Sequence, residues 1–293
     1  MDVIQTFTTD QWHTVFDEAD RTCAIQALEQ GRLLYFPRLA FPVSDEETQL
    51  FSPTWLDRSA KNISYDPGRD QLKGTTVQGP GAEILRGMVA RYAAATRALV
   101  ESLLPPYRSC LQQARTSFRP SEIVGRKTSF RKDDQRLHTD AFSSRPTRGA
   151  RILRVFTNVN REGMDRLWRI GEPFEAYAKQ FFPLVPRPLP GAAWLLAALR
   201  ITKGRRSLYD HVMLHLHDLV KQDLRYQREA PQVQISFPPG STWIVFTDQV
   251  LHAAMSGQYL LEQTFHIPVS AQCEPSRSPL KVLERLSGRR LDI

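Results

Sequence analysis

Apolar positions along the first third of the chain recur mostly at helical spacing. The pattern predicts a helix over residues 8–30, with Thr9 or Asp10 as N-cap, Ala24, Ile25, Ala27 and Leu28 on its buried side and a close at Gly31. Leu33-Leu34-Tyr35-Phe36, ended by Pro37, reads as a short strand. Residues 42–80 are rich in Gly and Pro and read as loop. Ile84, Leu85, Met88, Val89, Tyr92 and Ala95 then mark a long amphipathic helix from Ala82 to Leu104, stopped by Pro105-Pro106.

From residue 122 the period shortens. Extended segments are expected at Arg126–Arg131, Arg136–Phe142, Ala150–Val159, Val233–Phe237, Ser241–Thr247 and Tyr259–Ile267, with turns such as Pro238-Pro239-Gly240 between them. Residues 173–229 interrupt them with a helical insertion, whose clearest stretch runs from Ser207 with Leu208, Val212, Leu216, Leu219 and Leu224. The fold class is therefore α+β, one domain over 1–293. A mainly helical layer (1–121) precedes a distorted antiparallel barrel (122–270) with its helical insert, and a basic tail (271–293) follows. No βαβ alternation, GxGxxG fingerprint or Walker A loop points to a nucleotide fold.

Charge sharpens this picture. With 39 Lys+Arg against 31 Asp+Glu the net charge is +8, which favours an anionic partner. Cys23, Cys110 and Cys273 form no CxxC pair, as expected of thiols in a reducing compartment. The N-terminus lacks a signal-peptide pattern, and the longest apolar stretch, Ala192–Leu199, falls short of the roughly 20 residues a membrane span needs. A cytoplasmic location is expected; Trp194 and Leu195 beside Arg200, Lys203, Arg205 and Arg206 suit peripheral contact at an anionic inner-membrane face, and a buried helix of the insertion with a solvated basic end accounts for the same pattern.

The chemistry centres on Arg136-Leu137-His138-Thr139-Asp140-Ala141-Phe142. On an extended strand His138 and Asp140 point to one side, and at the edge of a cavity both can reach one metal ion. They supply two ligands of a 2-His-1-carboxylate triad, the set that leaves positions on Fe(II) open; a surface strand explains the same spacing without any metal. His252, after the apolar strand and a polar break, is the candidate third ligand. His211 and His215 have zinc-like spacing but lack the Glu of HExxH, so a solvated helix face accounts for them. His266 either lines the pocket or faces the core. An acidic co-substrate needs a cation, and no Lys or Arg lies between His252 and Arg277. Arg154, inside the apolar strand Ile152–Phe156, is the candidate anchor, with Gln263 or Thr264 adding a neutral hydrogen bond. Arg131, Arg148 and Arg151 are candidates for an anionic substrate, and Arg131 and Arg151 are alternative anchors.

Taken together, Asp133–Phe142, Arg151–Asn160, Ser207–His211 and the run from Phe237-Pro238-Pro239-Gly240 through Glu262-Gln263-Thr264-Phe265-His266 resemble the Kdo 3-hydroxylases, a group of Fe(II)/2-oxoglutarate-dependent oxygenases. The likeness runs from Gln26 to Pro268. It implies a double-stranded β-helix (jelly-roll) core with His138, Asp140 and His252 on iron. It also implies 2-oxoglutarate and O2 as co-substrates, and hydroxylation at carbon 3 of 3-deoxy-D-manno-oct-2-ulosonic acid (Kdo), the sugar acid attached to lipid A. Two other readings use the same residues: a 2-oxoglutarate oxygenase on another anionic substrate, and a non-catalytic nucleic-acid-binding protein. The second lacks basic residues interleaved with aromatic ones and carries no specific nucleic-acid motif. Nothing in the sequence sets the oligomeric state.

Overall fold

In the computed structural model, which describes residues 2–125 and 128–293, the elements run β1 (Ile4–Thr6), α1 (Glu18–Glu29), β2 (Leu33–Phe36), α2 (Asp45–Thr48), β3 (Ile63–Asp66), β4 (Gln71–Lys73), α3 (Pro80–Leu103) and β5 (Gln112–Arg119). After these come β6 (Arg151–Asn158), β7 (Arg166–Gly171), α4 (Phe174–Phe181), α5 (Ala192–Ala198), α6 (Leu208–Gln222) and α7 (Leu224–Glu229). The chain closes with β8 (Gln232–Phe237), β9 (Thr242–Phe246), β10 (His252–Ser256), β11 (Leu260–Ile267) and α8 (Pro279–Ser287). The result is a mixed α+β fold. An eight-stranded sheet has the order β1-β2-β9-β6-β11-β5-β3-β4, and a three-stranded sheet the order β10-β7-β8.

Alternation along β6 and β11 shows how the large sheet is used. Leu153 and Val155 of β6, with Leu261 and Phe265 of β11, pack under α1 and α3. Phe156 and Leu260 point the other way, into an aromatic core with Trp168, Phe237 and Trp243 between the two sheets. The Phe237 and Trp243 rings stack there at 4.0 Å. A third core joins α4 and α6 of the insertion to α8.

Several expectations need correction. The first helix begins only at Glu18, capped by Asp17. Phe7, Trp12 and Phe16 imitate helical periodicity, but they are buried anchors of an irregular segment held by Trp12 Nε1 donating to the Ala40 carbonyl. The first 121 residues are not mainly helical, since they supply β1–β5. Strand β5 escaped notice because its ends are polar and one face meets a polar cavity. Of the strand expected at 126–131, Arg126 and Lys127 lie outside the described residues, and Phe130–Lys132 forms a 3-10 turn. The segment around His138 makes a single bridge rather than a strand. The C-terminal tail carries α8, whose Leu280, Val282 and Leu283 are buried.

Arg151 is a further correction. It is fully buried, its Nε donates to Asp248 Oδ2 at 2.7 Å, its Nη2 donates to Gln249 Oε1, and its guanidinium lies 3.9 Å from the centre of the Phe246 ring. It cannot reach a substrate or serve as the co-substrate anchor. Its place is structural, so Arg151→Leu strands the Asp248 carboxylate in the core and is expected to cost about 3–5 kcal/mol. Urea denaturation reads this directly, and an unshifted midpoint removes the structural role.

Candidate metal centre

His138 and His252 are brought together by backbone. The His138 N–H donates to the His252 carbonyl and the His252 N–H to the His138 carbonyl, both at 2.9 Å, which sets the rings 4.7 Å apart. Asp140 is placed by its own N–H, which donates to the Thr247 carbonyl at 2.7 Å. Gln227 of α7 clamps the intervening chain, accepting from the Leu137 N–H through Oε1 and donating to the Leu137 carbonyl through Nε2. Ligand atoms of His138, Asp140 and His252 all lie within 4.8 Å of one another.

The protonation states suit a divalent cation. Each ring's Nδ1 faces a carbonyl, Arg136 O at 2.7 Å for His138 and Val250 O at 2.8 Å for His252. A carbonyl only accepts, so Nδ1 carries the hydrogen and Nε2 keeps its lone pair. Burial, with Lys221 adding to it at His138, holds both imidazoles below their ordinary range and therefore neutral. Burial alone raises the Asp140 carboxyl, but Arg154 overturns this and brings it to about 2. Arg154 Nη2 stands 3.0 Å from Asp140 Oδ2, close but not aligned as a hydrogen bond, so this buried oxygen has no donor. Two neutral imidazole nitrogens and a carboxylate oxygen without a donor fit Fe(II).

Around the three lies a polar cavity of about 230 Å³. Arg154 lines it and also meets Glu262 at 3.0 Å. Glu262 in turn pairs with Arg119, and Asp134 with Lys61 at 2.7 Å. Trp168 stacks on His252 with ring centres 5.1 Å apart. Lys221 and His217, from α6, complete the wall beside His138.

The other expected residues divide. Thr264 is paired in register with Arg154 and shares its face of the sheet. Gln263 faces the opposite way, under α3, where Thr116 donates to it and it donates to the Ala114 carbonyl; it is not at the site. Arg131 stands at the cavity rim, paired with Asp218. Arg148 does not line the cavity; its exposed guanidinium lies beside Gly204 in the insertion. His266 turns its ring edge to Phe142. The rings of His211 and His215 are 4.4 Å apart on the far side of α6, where His211 Nε2 donates to the Pro186 carbonyl.

The model of the 3-deoxy-D-manno-oct-2-ulosonic acid (Kdo) hydroxylase family matches residues 11–290. The chain belongs to this family. A crystal structure of the Kdo hydroxylase KdoO, a non-heme Fe(II) α-ketoglutarate-dependent dioxygenase, in complex with α-ketoglutarate and Fe(III), is similar at 52% identity. The match covers 99% of this chain and 97% of that one, with a TM-score of 0.96. The cobalt(II) complex of KdoO matches with the same figures, and its complex with succinate and Fe(III) gives a TM-score of 0.95. No curated protein matches. Membership of the Kdo hydroxylases makes this chain a non-heme iron, 2-oxoglutarate-dependent dioxygenase.

Sequence reading missed Arg119, His217 and Lys221 in the cavity wall, and Glu262 paired with Arg119 and Arg154 behind it. Lys221 had one usable signal, a lysine on the apolar side of a helical pattern. Burial pushes its ammonium down from 10.5 to about 8. Below pH 8 both folded and unfolded chains carry the charge and the burial penalty is complete. As pH rises from about 8 to about 10.4 the folded lysine loses its proton first and the penalty fades. Lys221→Met is therefore expected to stabilise the protein by about 3 kcal/mol near pH 7 and by almost nothing near pH 10.4. Urea midpoints at the two pH values decide it, and a gain independent of pH removes the buried charge as its cause.

Proposed function

We propose that this Kdo hydroxylase inserts a hydroxyl at carbon 3 of Kdo in Kdo-bearing lipid A, with 2-oxoglutarate and O2 consumed and succinate and CO2 released. The observation that carries the reading is the convergence of His138, Asp140 and His252 inside a cation-lined cavity, in a chain 52% identical to KdoO. We read the two sheets as a double-stranded β-helix and residues 1–293 as one catalytic domain. His138 and His252 through Nε2, with Asp140 through its carboxylate, would hold the iron, whose bound state supplies oxidising power for an unactivated C–H bond.

The chain's own groups account for the rest. Arg154 is our candidate for the carboxylate of 2-oxoglutarate, with Thr264 beside it on the same face. Lys221 and Arg131 line the part of the cavity where the sugar carboxylate can settle. Trp168 covers His252 and keeps water from that side. A 2-oxoglutarate oxygenase acting on another anion uses the same groups, and a Kdo-free succinate assay separates it from this reading.

His138→Ala and Asp140→Ala are expected to abolish Kdo-dependent succinate release and leave the thermal unfolding curve in place. Arg154→Gln is expected to raise the 2-oxoglutarate requirement roughly ten- to hundredfold. Retention of wild-type turnover by His138→Ala removes the triad from the mechanism. An unaltered 2-oxoglutarate requirement moves the anchor to another cation of the cavity wall.

The acceptor is lipid-borne, and one surface suits a membrane. No described helix is long and apolar enough to cross a bilayer. Helix α5 has no buried residue; Trp194 is 69% and Leu195 52% exposed, and Leu199 and Ile201 continue the patch next to Arg200 and Arg205. We place this surface on the cytoplasmic leaflet, apolar side chains in the acyl boundary and guanidinium groups on phosphates. Trp194→Ser combined with Leu195→Ser should weaken binding to anionic vesicles without lowering stability. Wild-type protein that stays unbound at low salt defeats this placement.

A further inference from the structure

Most cations in the wall of the metal cavity have anionic partners. A second group does not. Arg69, Arg115, Arg145 and Lys203 line an open depression of about 540 Å³ whose other polar member is Asp66. The ion pairs of the described residues include none of these four cations, although such pairs occupy Arg86, Arg91, Arg97, Arg119, Arg131, Arg154 and others. Asp66 accepts the Gly68 N–H through its side chain, and one carboxylate leaves the group well short of neutral.

The cations are held in place. Pairing of β5 with β11 passes from Gln263–Thr116 to Phe265–Gln113, so Ala114 and Arg115 together face Thr264 in a bulge. Bulges re-aim side chains at the margins of sheets. Arg115 thereby shares the face of β5 that carries Arg119, a wall residue of the metal cavity, about 13 Å further along the strand. Arg145 and Lys203 sit on two loops tied together. The Lys203 N–H donates to the Ser144 carbonyl at 2.8 Å, and Thr147 and Arg148 both donate backbone N–H to Asp210. Arg145, then partial loss of hydration, then Arg115, Arg69 and the adjoining Lys73 lower the Lys203 ammonium, as expected of cations that share one depression.

We propose that Arg69, Arg115, Arg145 and Lys203 form a phosphate subsite at the mouth of the metal cavity. The subsite takes a phosphomonoester, which brings about 1.5–2 negative charges where a carboxylate brings one. Its natural source is the phosphate of the glycolipid acceptor, an assignment that rests on the Kdo reading above. The alternative source is a free phosphate ester. Arg119, about 13 Å along β5 from Arg115, already stands in the wall of the metal cavity, so a phosphate held at the depression leaves its attached sugars directed along that face toward His138, Asp140 and His252.

The test compares the wild type with Arg115→Gln/Arg145→Gln and, separately, Lys203→Ala, all partly or fully exposed positions. Calorimetric titration with inorganic phosphate is expected to show binding to the wild type and at least tenfold weaker binding to the double variant. Equal binding overturns the subsite. Steady-state kinetics on Kdo-bearing lipid A, with and without its phosphates, then identify the source. A loss of roughly ten- to hundredfold in kcat/KM confined to the phosphorylated acceptor, with the 2-oxoglutarate KM unchanged, supports the acceptor. Equal loss on both acceptors, or a wild type indifferent to the phosphates, overturns the acceptor assignment and leaves a free phosphate as the ligand. Failure of the wild type to hydroxylate either acceptor overturns the Kdo reading, while the phosphate titration still reads the subsite by itself.

Discussion

A carboxylate that must stay ionised and available inside a protein needs a buried cation nearby, and here that cation is Arg154. It stands 3.0 Å from both Asp140 and Glu262. Placing a guanidinium there is itself costly, so Glu262 balances it, Arg119 balances Glu262, and Asp134 with Lys61 extends the alternation to the surface. This chain of charges runs across neighbouring strands of the large sheet. Arg154, Glu262 and Arg119 come from β6, β11 and β5, which are successive neighbours, and each reaches the next only because all three point to one face. Helices α1 and α3 seal the other face with apolar residues. One side of the sheet can then be polar without destabilising the core.

The second dependency is between the insertion and the candidate metal residues. His138 lies on a segment with a single bridge to β10, too little pairing to fix an imidazole by itself. Gln227 supplies two hydrogen bonds to Leu137, and Arg136 donates to the Lys221 carbonyl. Helices α6 and α7 thus serve the centre by holding the backbone on which His138 rides. They also supply Lys221 and His217 to its wall. Val212 and Leu216 pack in the same core as Leu137, the residue next to His138.

How far the sequence could be read follows from side-chain parity. The convergence of His138, Asp140 and His252 was legible because the His-x-Asp spacing and the polar break after an apolar strand are local signals. Arg151 and Arg154 look alike in Arg151–Phe156, yet an odd separation on a strand puts them on opposite faces, one into the helical core and one into the cavity. Gln263 and Thr264 divide the same way. The missing information was a single bit, which face is inward, and pairing with distant strands fixes it. Strand β5 hid for a related reason. A strand whose inner face meets a polar cavity carries Arg115, Ser117 and Arg119 where a core strand carries Val or Ile, so hydrophobic alternation disappears.

The same logic changes the meaning of the net charge. A value of +8 describes the whole chain and says nothing about where the excess resides. Near His138, Asp140 and His252 cations and carboxylates alternate, so the local field is structured but close to balanced. The depression at Arg69, Arg115, Arg145 and Lys203 has no such balance. Cations that stabilise a fold are paired within it, whereas cations kept apart from carboxylates on hydrogen-bonded loops gain a partner only when something else arrives. The basic residues around this face therefore fall into two groups: Arg154, Arg119 and Lys61, paired with Asp140, Glu262 and Asp134, and Arg69, Arg115, Arg145 and Lys203, which share one depression without an ion pair.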